Sequence, residues 1–512
     1  MEKFRIGQRI IDVNDNARGT VKYLGTVEGT KGSWIGVDWD DKRRGKHDGS
    51  HDGKKYFSTH SPVSGSFVRE AKISGGVSFE IAVEDRYGSS ADADPDLIED
   101  VRRDINAPFL ELVGFDKVNK AQSNFSQLKT ISVRDKGVCK GGDSLGSYSV
   151  TVLDIAENLF DSWDVVSKMC KQLKKLKNLN VSENFLRLPE NREDSVEALA
   201  NLKTLFMGRM GYDWLQCQAI VDFTDSLQVL HVYENRITEI SAECQRLTSL
   251  VELNLTGNPL CDWDSLIHLS KLPKLQKLAV NRCGLRQICI QEGRSGFEAL
   301  TCLQISENKL NDWQSIFALN SLPRLQDLRY KDNPITDTES AQTSRQIVIA
   351  SIAGLKIANG TEIEKVERFG SEVDFLKKFG LEYLQAVKEP QKLEEFYGKY
   401  PRYEAFVKRF GAPEESELRV KDTSLKANLL KVNIKCPDEN DVAPITKSLP
   451  PAMVVSKLQG LLTRLIKPAR GKVVTLSYIS SKKPEMEVPL DNDMRDLFFY
   501  NIESGDTIFV RW

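Results

Sequence analysis

Five histidines in 512 residues, nine cysteines with no C-x-x-C pair, and no apolar run near the length of a bilayer span mark this chain first. Each scarcity excludes something. A zinc site of the usual spacing needs paired Cys or His ligands, and His47 with His51 stand among Gly45, Gly49 and Gly53, which disfavour the helix an i, i+4 ligand pair requires. No stretch approaches the ~18 consecutive apolar residues of a membrane helix. The opening residues Met1-Glu2-Lys3-Phe4-Arg5 lack the apolar core of a secretory leader. Free thiols without leader or span lead to an expectation of a cytoplasmic protein. Charge of one sign is also lacking: 71 Lys and Arg face 73 Asp and Glu, a net of −2, so neither nucleic acid nor membrane is an expected partner. No Ser/His/Asp grouping and no paired-carboxylate motif stand at recognisable spacing. Gly45-Lys46 is not a phosphate loop, because His47 occupies the place of the magnesium-binding Ser or Thr. No enzyme, cofactor or metal is therefore expected.

What is present is repetition. L-x-L cores begin at Ile131, Leu153, Leu179, Leu205, Leu230, Leu253, Leu278, Leu303 and Leu328, at steps of 22 to 26 residues. An apolar residue precedes each core by three, from Leu128 to Leu325. Asn158, Asn184, Asn235, Asn258, Cys283, Asn308 and Asn333 stand five after the core start; only Lys136 and Met210 depart. This is the period and pattern of the leucine-rich repeat. Alternation places both apolar residues on one face of a short strand, a face that only stacked neighbours can bury. The Asn is suited to satisfying buried backbone groups in the turn that leaves the strand. Residues 128–340 are thus expected to form a curved solenoid. On its concave face Phe206 and Tyr233 are aromatic where solvent is expected, and with His231, Arg329 and Lys331 they form a candidate protein-binding surface.

Residues 1–75 read differently. Short β-type runs, Arg9–Val13, Gly19–Leu24, Trp34–Trp39 and Gly65–Val68, are punctuated by glycine, as in a small bent β-barrel. The module holds 14 Lys and Arg against 10 Asp and Glu, a net of +4, which leaves −6 for the rest. Its basic residues cluster at Lys42-Arg43-Arg44-Gly45-Lys46. Gly45-Lys46-His47-Asp48-Gly49, after Trp34-Ile35-Gly36-Val37 and before Tyr56-Phe57 and Gly65-Ser66-Phe67-Val68-Arg69, resembles the CAP-Gly domain. That family carries G-K-N-D-G at this place and binds acidic C-terminal tails that end in an aromatic residue, above all the E-E-Y tail of α-tubulin. The resemblance implies a tail site at Trp34, Gly45, Lys46, His47, Asp48, Gly49, Phe57, Phe67 and Arg69. Glycines would let backbone N–H groups approach a carboxylate, Lys46 and Arg69 would supply cations, and Trp34, Phe57 and Phe67 an apolar floor. His47 departs from the family's Asn and brings a titratable ring.

Residues 76–127 are expected to be a linker and N-terminal cap. The polar stretch Ser89–Pro95 would be an exposed link, Phe109–Phe115 an ordered strand and turn, and the segment with Phe125 and Leu128 a helical lead into the first repeat. From 341 to 415 the apolar period changes to that of helices, at Ile347, Ile349, Ile352 and Leu355, at Phe375–Leu384, and at Leu393–Phe410. This resembles the helical cap that closes some leucine-rich arrays, with Ile363–Arg368 included, and Ala412–Glu417 reads as a hinge. Residues 426–512 run strand, strand, helix, strand, strand, strand with a Gly505-Asp506 turn, which resembles a ubiquitin-like domain without the terminal Gly-Gly of conjugation. The expected fold is therefore multidomain, β and α/β: CAP-Gly barrel, capped solenoid, ubiquitin-like α+β domain.

That order of modules resembles the tubulin-folding cofactor E family along essentially the whole chain. The resemblance implies a monomeric, cytoplasmic, cytoskeleton-associated chaperone of α-tubulin. It implies work with tubulin cofactors B, C and D, with β-tubulin in the assembled complex, and both assembly and dissociation of the heterodimer. The ubiquitin-like domain would recruit another cofactor or the proteasome. A tail site and a body site joined by a linker would reinforce each other by about 10²–10⁴-fold. Two alternatives stand beside this: a CAP-Gly microtubule adaptor, and a ubiquitin-like proteasome shuttle.

Overall fold

The computed structural model describes residues 4–87, 128–290, 296–418 and 429–512, with short breaks at 143–144, 146–147, 440–442, 470, 482 and 501. The expectations for Ser89–Pro95, Phe109–Phe115 and Phe125 lie outside the described residues. The chain divides into two compact units, Met1–Ala412 and Pro413–Trp512. Among the described residues no helix is long and apolar enough to cross a membrane.

The first unit begins with strands β1 (Arg9–Asp12), β2 (Arg18–Thr26), β3 (Ser33–Trp39), β6 (Gly65–Val68) and β7 (Ile73–Ser74), ordered β6-β3-β2-β1-β7 and antiparallel throughout, while β4 (Ser50–His51) and β5 (Lys54–Lys55) form a hairpin of their own. A register shift between Val21 and Tyr23 bends β2, the longest strand. Ile10, Val21, Val37, Trp39 and Ile73 bury the concave side. The four β-type runs of the sequence are β1, β2, β3 and β6.

All nine L-x-L cores are strands. They lie side by side, in parallel and in register, in one eleven-stranded sheet from Thr130–Ser132 to Asp327–Arg329 and on to Ile357–Ala358 and Thr361–Glu362. Their leucines form a single core that runs from Phe79 to Ala358. On the convex side the repeats that begin at Leu153, Leu179 and Leu205 hold α-helices, Trp163–Gln172, Arg192–Leu199 and Trp214–Val221, whereas those that begin at Leu230 and Leu253 hold 3-10 segments, Ala242–Arg246 and Asp264–Lys271. The asparagines act as expected. Asn235 donates to Met207 O (2.7 Å) and Val232 O (3.1 Å) and accepts from the N–H groups of Met210 (2.9 Å) and Tyr212 (3.2 Å). Cys283 substitutes its thiol, which donates to Leu255 O at 3.3 Å.

One further phase was not read from the sequence. The residue before each Asn position is left-handed in every repeat: Asp135, Glu157, Glu183, Arg209, Glu234, Gly257, Arg282, Glu307 and Asp332 have φ between 51° and 75°. That conformation costs a non-glycine residue roughly 1 kcal/mol. It turns each N–H onto the next repeat, as in Glu183 N to Gly208 O (2.9 Å) and Glu234 N to Thr256 O (2.7 Å).

Within the stretch expected to be linker and N-terminal cap, residues 77–87 cover the end of the array: Val77–Ser78 (β8) pairs with Val138–Lys140, and the helix Phe79–Tyr87 buries Phe79, Ala82 and Val83 in the array's core. One boundary differs from expectation. Ile363–Arg368 is not wholly helical, because the helix begins only at Lys365, after a hairpin at Asn359-Gly360 that closes the sheet with φ of 52° and 82°. Helices Ala341–Ser351, Lys365–Lys378, Gly380–Ala386, Pro390–Lys399 and Tyr403–Phe410 then pack around Phe375, Phe396, Tyr400, Tyr403 and Phe406.

The second unit is a five-stranded mixed sheet. Thr507–Arg511 lies at its centre, parallel to Leu430–Lys435 and antiparallel to Thr475–Ser480, and the helix Val455–Leu465 buries Val455, Leu458 and Leu462 against the sheet.

Candidate functional site

The loop Gly45–Gly49 is shaped by what surrounds it. Lys46 N–H donates to Gly65 O (2.7 Å), and Gly65 N–H returns a bond to His47 O (2.8 Å). A Cβ on Gly45 would lie 2.3 Å from the Ser64 carbonyl carbon, and one on Gly49 (φ +96°) would lie 2.1 Å from Phe57 O. Both glycines are therefore required for the loop to lie against the 57–65 segment. Asp48 turns the chain by accepting from Ser50 N–H (3.1 Å), and Lys55 meets its other oxygen at 3.2 Å. Ser50 and then Lys55 hold the Asp48 carboxyl below the usual carboxylate range. Its charge is thus partly answered before any acidic ligand arrives.

Beside this loop stands an aromatic cluster centred on Phe67. Its ring lies 5.0 Å from His47, 5.4 Å from Phe57, 5.5 Å from Tyr56 and 6.1 Å from Tyr23. His47 accepts from Gly49 N–H at its Nδ1 (3.0 Å), which leaves Nε2 as the ring's donor. Burial pushes its pKa down. Lys46 is exposed and has no carboxylate partner among the described residues. Within the basic run Arg44 is engaged instead, by Asp12 (2.8 Å), Asp15 and the face of Trp39 (4.4 Å). Trp34 and Arg69 form a separate pair. The guanidinium stacks 3.6 Å over the indole and donates to Ser33 O (2.8 Å) and Lys31 O (2.7 Å). The structure thus brings Gly45, Lys46, His47, Asp48, Gly49, Phe57 and Phe67 together and sets Trp34 with Arg69 at the adjoining turn. Tyr23 and Tyr56, missed in the sequence, join through the ring cluster; Tyr56 is adjacent to Phe57, and its hydroxyl accepts from Glu28 N–H (2.9 Å).

On the array, Phe206 and His231 touch edge to face at 4.5 Å, and His231 reaches Glu252 at 3.1 Å. Tyr233 lies deeper. Its ring covers Gly208, where a Cβ would come within 2.2 Å, and it lines a cleft of about 290 Å³ with Arg134, Glu183, Arg209, Glu234 and Arg282. Arg329 and Lys331 are exposed two repeats further along and do not reach this group. Among the described residues no cluster of three or more His, Cys, Asp or Glu is arranged to hold a metal.

A CAP-Gly domain model matches residues 6–73, and a model of leucine-rich repeats in two copies matches residues 225–268. Tubulin-specific chaperone E of Xenopus laevis is 35% identical over 515 residues, covering 97% of each chain. That of Homo sapiens is 36% identical over 523 residues, covering 99% of this chain and 98% of its own. The chain belongs to the tubulin-specific chaperone E family. The solution structure of the C-terminal ubiquitin-like domain of mouse tubulin-specific chaperone e is also similar, at 44% identity over 17% of this chain and 87% of that one, with a TM-score of 0.15. In this member of the tubulin-specific chaperone E family the CAP-Gly loop reads Gly-Lys-His-Asp-Gly, and the imidazole takes up the Gly49 N–H.

Proposed function

We propose that the chain is a tubulin chaperone that captures α-tubulin by its acidic C-terminal tail and holds its body on the repeat array. The observation that carries this reading is the exposed Lys46, which meets no carboxylate among the described residues and is next in the chain to His47, whose ring packs against Phe57 and Phe67. A cation next to an aromatic pocket suits a peptide that ends in a carboxylate and a ring. Membership of the family supports the tubulin role. It also supports a function by binding, without a catalytic step, for a cytoplasmic monomer working with cofactors B, C and D and with β-tubulin in the assembled complex.

The test is titration of the full chain with an acidic peptide ending in Glu-Glu-Tyr and with the same peptide lacking the tyrosine. Lys46→Ala is expected to weaken the complete peptide by about tenfold, the worth of one charge-assisted contact of ~1.4 kcal/mol. Equal affinity of wild type and variant, or of the two peptides, would remove the tail site. Dimer separation has its own test, size exclusion of the chain with αβ-tubulin, with and without cofactor B. A soluble peak holding α-tubulin and depleted of β-tubulin is expected; an intact dimer eluting alone counts against it.

A further inference from the structure

The junction between the first two modules is short and closed. Only Gly75 and Gly76 separate β7 from β8, and β8 is already paired with the array. Gly76 has φ +88°, and a Cβ there would lie 2.3 Å from Gly137 O, so the chain passes against the first repeat with no room for a side chain. Val77 N–H donates to the same carbonyl at 2.9 Å.

Three arginines of the CAP-Gly module then reach the array's first repeats. Arg18 pairs with Asp135 and, at 3.0 Å, with Glu157, two successive left-handed turn residues. Arg5 pairs with Asp161, which is buried. Arg9, 2% exposed and clamped by Asp40, lies 4.6 Å from the ring centre of Phe185, a large apolar residue on the loop after the third strand. These contacts come from strands β1 and β2 and the turn before them. The tail loop lies at 45–49, and none of its residues takes part.

We propose that Arg5, Arg9 and Arg18 latch the CAP-Gly module to the first repeats in one orientation. This fixed angle, in place of a flexible tether, selects which surface of a tail-bound tubulin meets the concave face. The proposal rests on the tail-capture reading. A tether lets a bound tail present any face of its owner, and its benefit is effective concentration alone. A rigid pair of sites avoids the ordering cost on binding and rejects partners whose tail and body stand at another angle. Two of the three contacts, those of Arg5 and Arg18, are ion pairs that are partly exposed, so the latch weakens as salt rises.

The experiment uses the full chain with Arg18→Glu, with Phe185→Ala, and with Arg18→Glu combined with Asp135→Arg. The last change is tolerable because the same left-handed phase already holds Arg209 and Arg282. Phe185 sits on an exposed loop, so its truncation tests the latch should Arg18→Glu disturb folding. Three readouts are taken: the distance between probes on unnatural residues at Lys22 and Glu190, affinity for the Glu-Glu-Tyr peptide, and affinity for intact tubulin. The expected result is a broadened distance in both single variants and peptide affinity within about twofold of wild type. Tubulin affinity should fall by about tenfold or more and be restored in part by the charge exchange, since Glu157 keeps its sign. An unchanged distance in both single variants would overturn the latch. A broadened distance with undiminished tubulin affinity would overturn its role in selection. Failure of the wild-type chain to bind the peptide would instead remove tail capture.

Discussion

At the residue scale the most informative side chain is His47. Its Nδ1 accepts from Gly49 N–H at 3.0 Å, so the loop is built around a neutral imidazole. Burial, the largest cause, lowers its pKa in the folded chain, and Asp48 opposes this only in part. A folded pKa below the unfolded value means that the unfolded chain takes up the proton first. The stabilisation is complete above the ordinary histidine pKa of about 6.5 and is lost as pH falls through that value. His47→Asn removes the titration. Between about pH 7.5 and 5.5 the wild-type CAP-Gly module should therefore lose more thermal stability than the variant. Scanning calorimetry at the two pH values would show this, and equal losses would mean that the imidazole is not coupled to the loop. Position 47 stood out in the sequence as a departure from the family's Asn. Its tautomer did not, because that depends on a backbone N–H two residues on. Nor could the basic run reveal that Arg44 is consumed by Asp12 and Trp39 while Lys46 meets no carboxylate among the described residues.

At the scale of elements, the helical cap hangs on one buried carboxylate. Glu372 is 1% exposed and is met by Arg402 at 3.0 Å and Arg409 at 2.7 Å. Arg402 also donates to Ala350 O, and Arg368 donates to Ile349 O (3.0 Å) and Ile352 O (3.3 Å). These carbonyls end the helix Ala341–Ser351, where no N–H of the helix itself is left to meet them. Glu372→Ala would leave the half-buried Arg402 without its carboxylate, Arg409 being exposed, and should cost about 3 kcal/mol in denaturant unfolding. A loss below about 1 kcal/mol would mean that water reaches the pair and that the cap closes by apolar packing alone. Helical periodicity announced these helices but not their breaks. Phe375 to Leu384 reads as one stripe, yet the chain divides at Phe379, and the next helix begins at Gly380. The Asn359-Gly360 dipeptide is itself a hairpin signal, and it lies just before the Ile363–Arg368 segment that was expected to be helical. The strands themselves were fully legible, because leucine spacing and burial express one constraint. The left-handed phase was not, since Glu, Arg and Asp at those places carry no local mark of positive φ.

At the scale of the whole molecule, the modules were readable and their junctions were not. Residues 76–127 read as linker and cap without a point of division, and it is Phe79, Ala82 and Val83 in the array's core that make 77–87 its first layer. The division at Ala412 and Pro413 predicts two unfolding steps. Deleting Pro413–Trp512 should leave the upper or lower step unchanged in midpoint and abolish the other in calorimetry; a shift of the surviving step would mean that the units stabilise each other. The left-handed turn residues have a consequence of a different kind. Along the array Glu183, Arg209 and Glu234 alternate in sign, with Arg209 meeting both neighbours, and Arg282 returns to Glu234 across the uncharged Gly257. A solenoid ordinarily gains or loses repeats one at a time, since each touches only its neighbours. Here excising the repeat of Arg209 would set Glu183 against Glu234, like charge on like. Arg134 already bridges one such pair, Glu157 and Glu183, so an array shortened here would need a cation at that place to hold the two acids together.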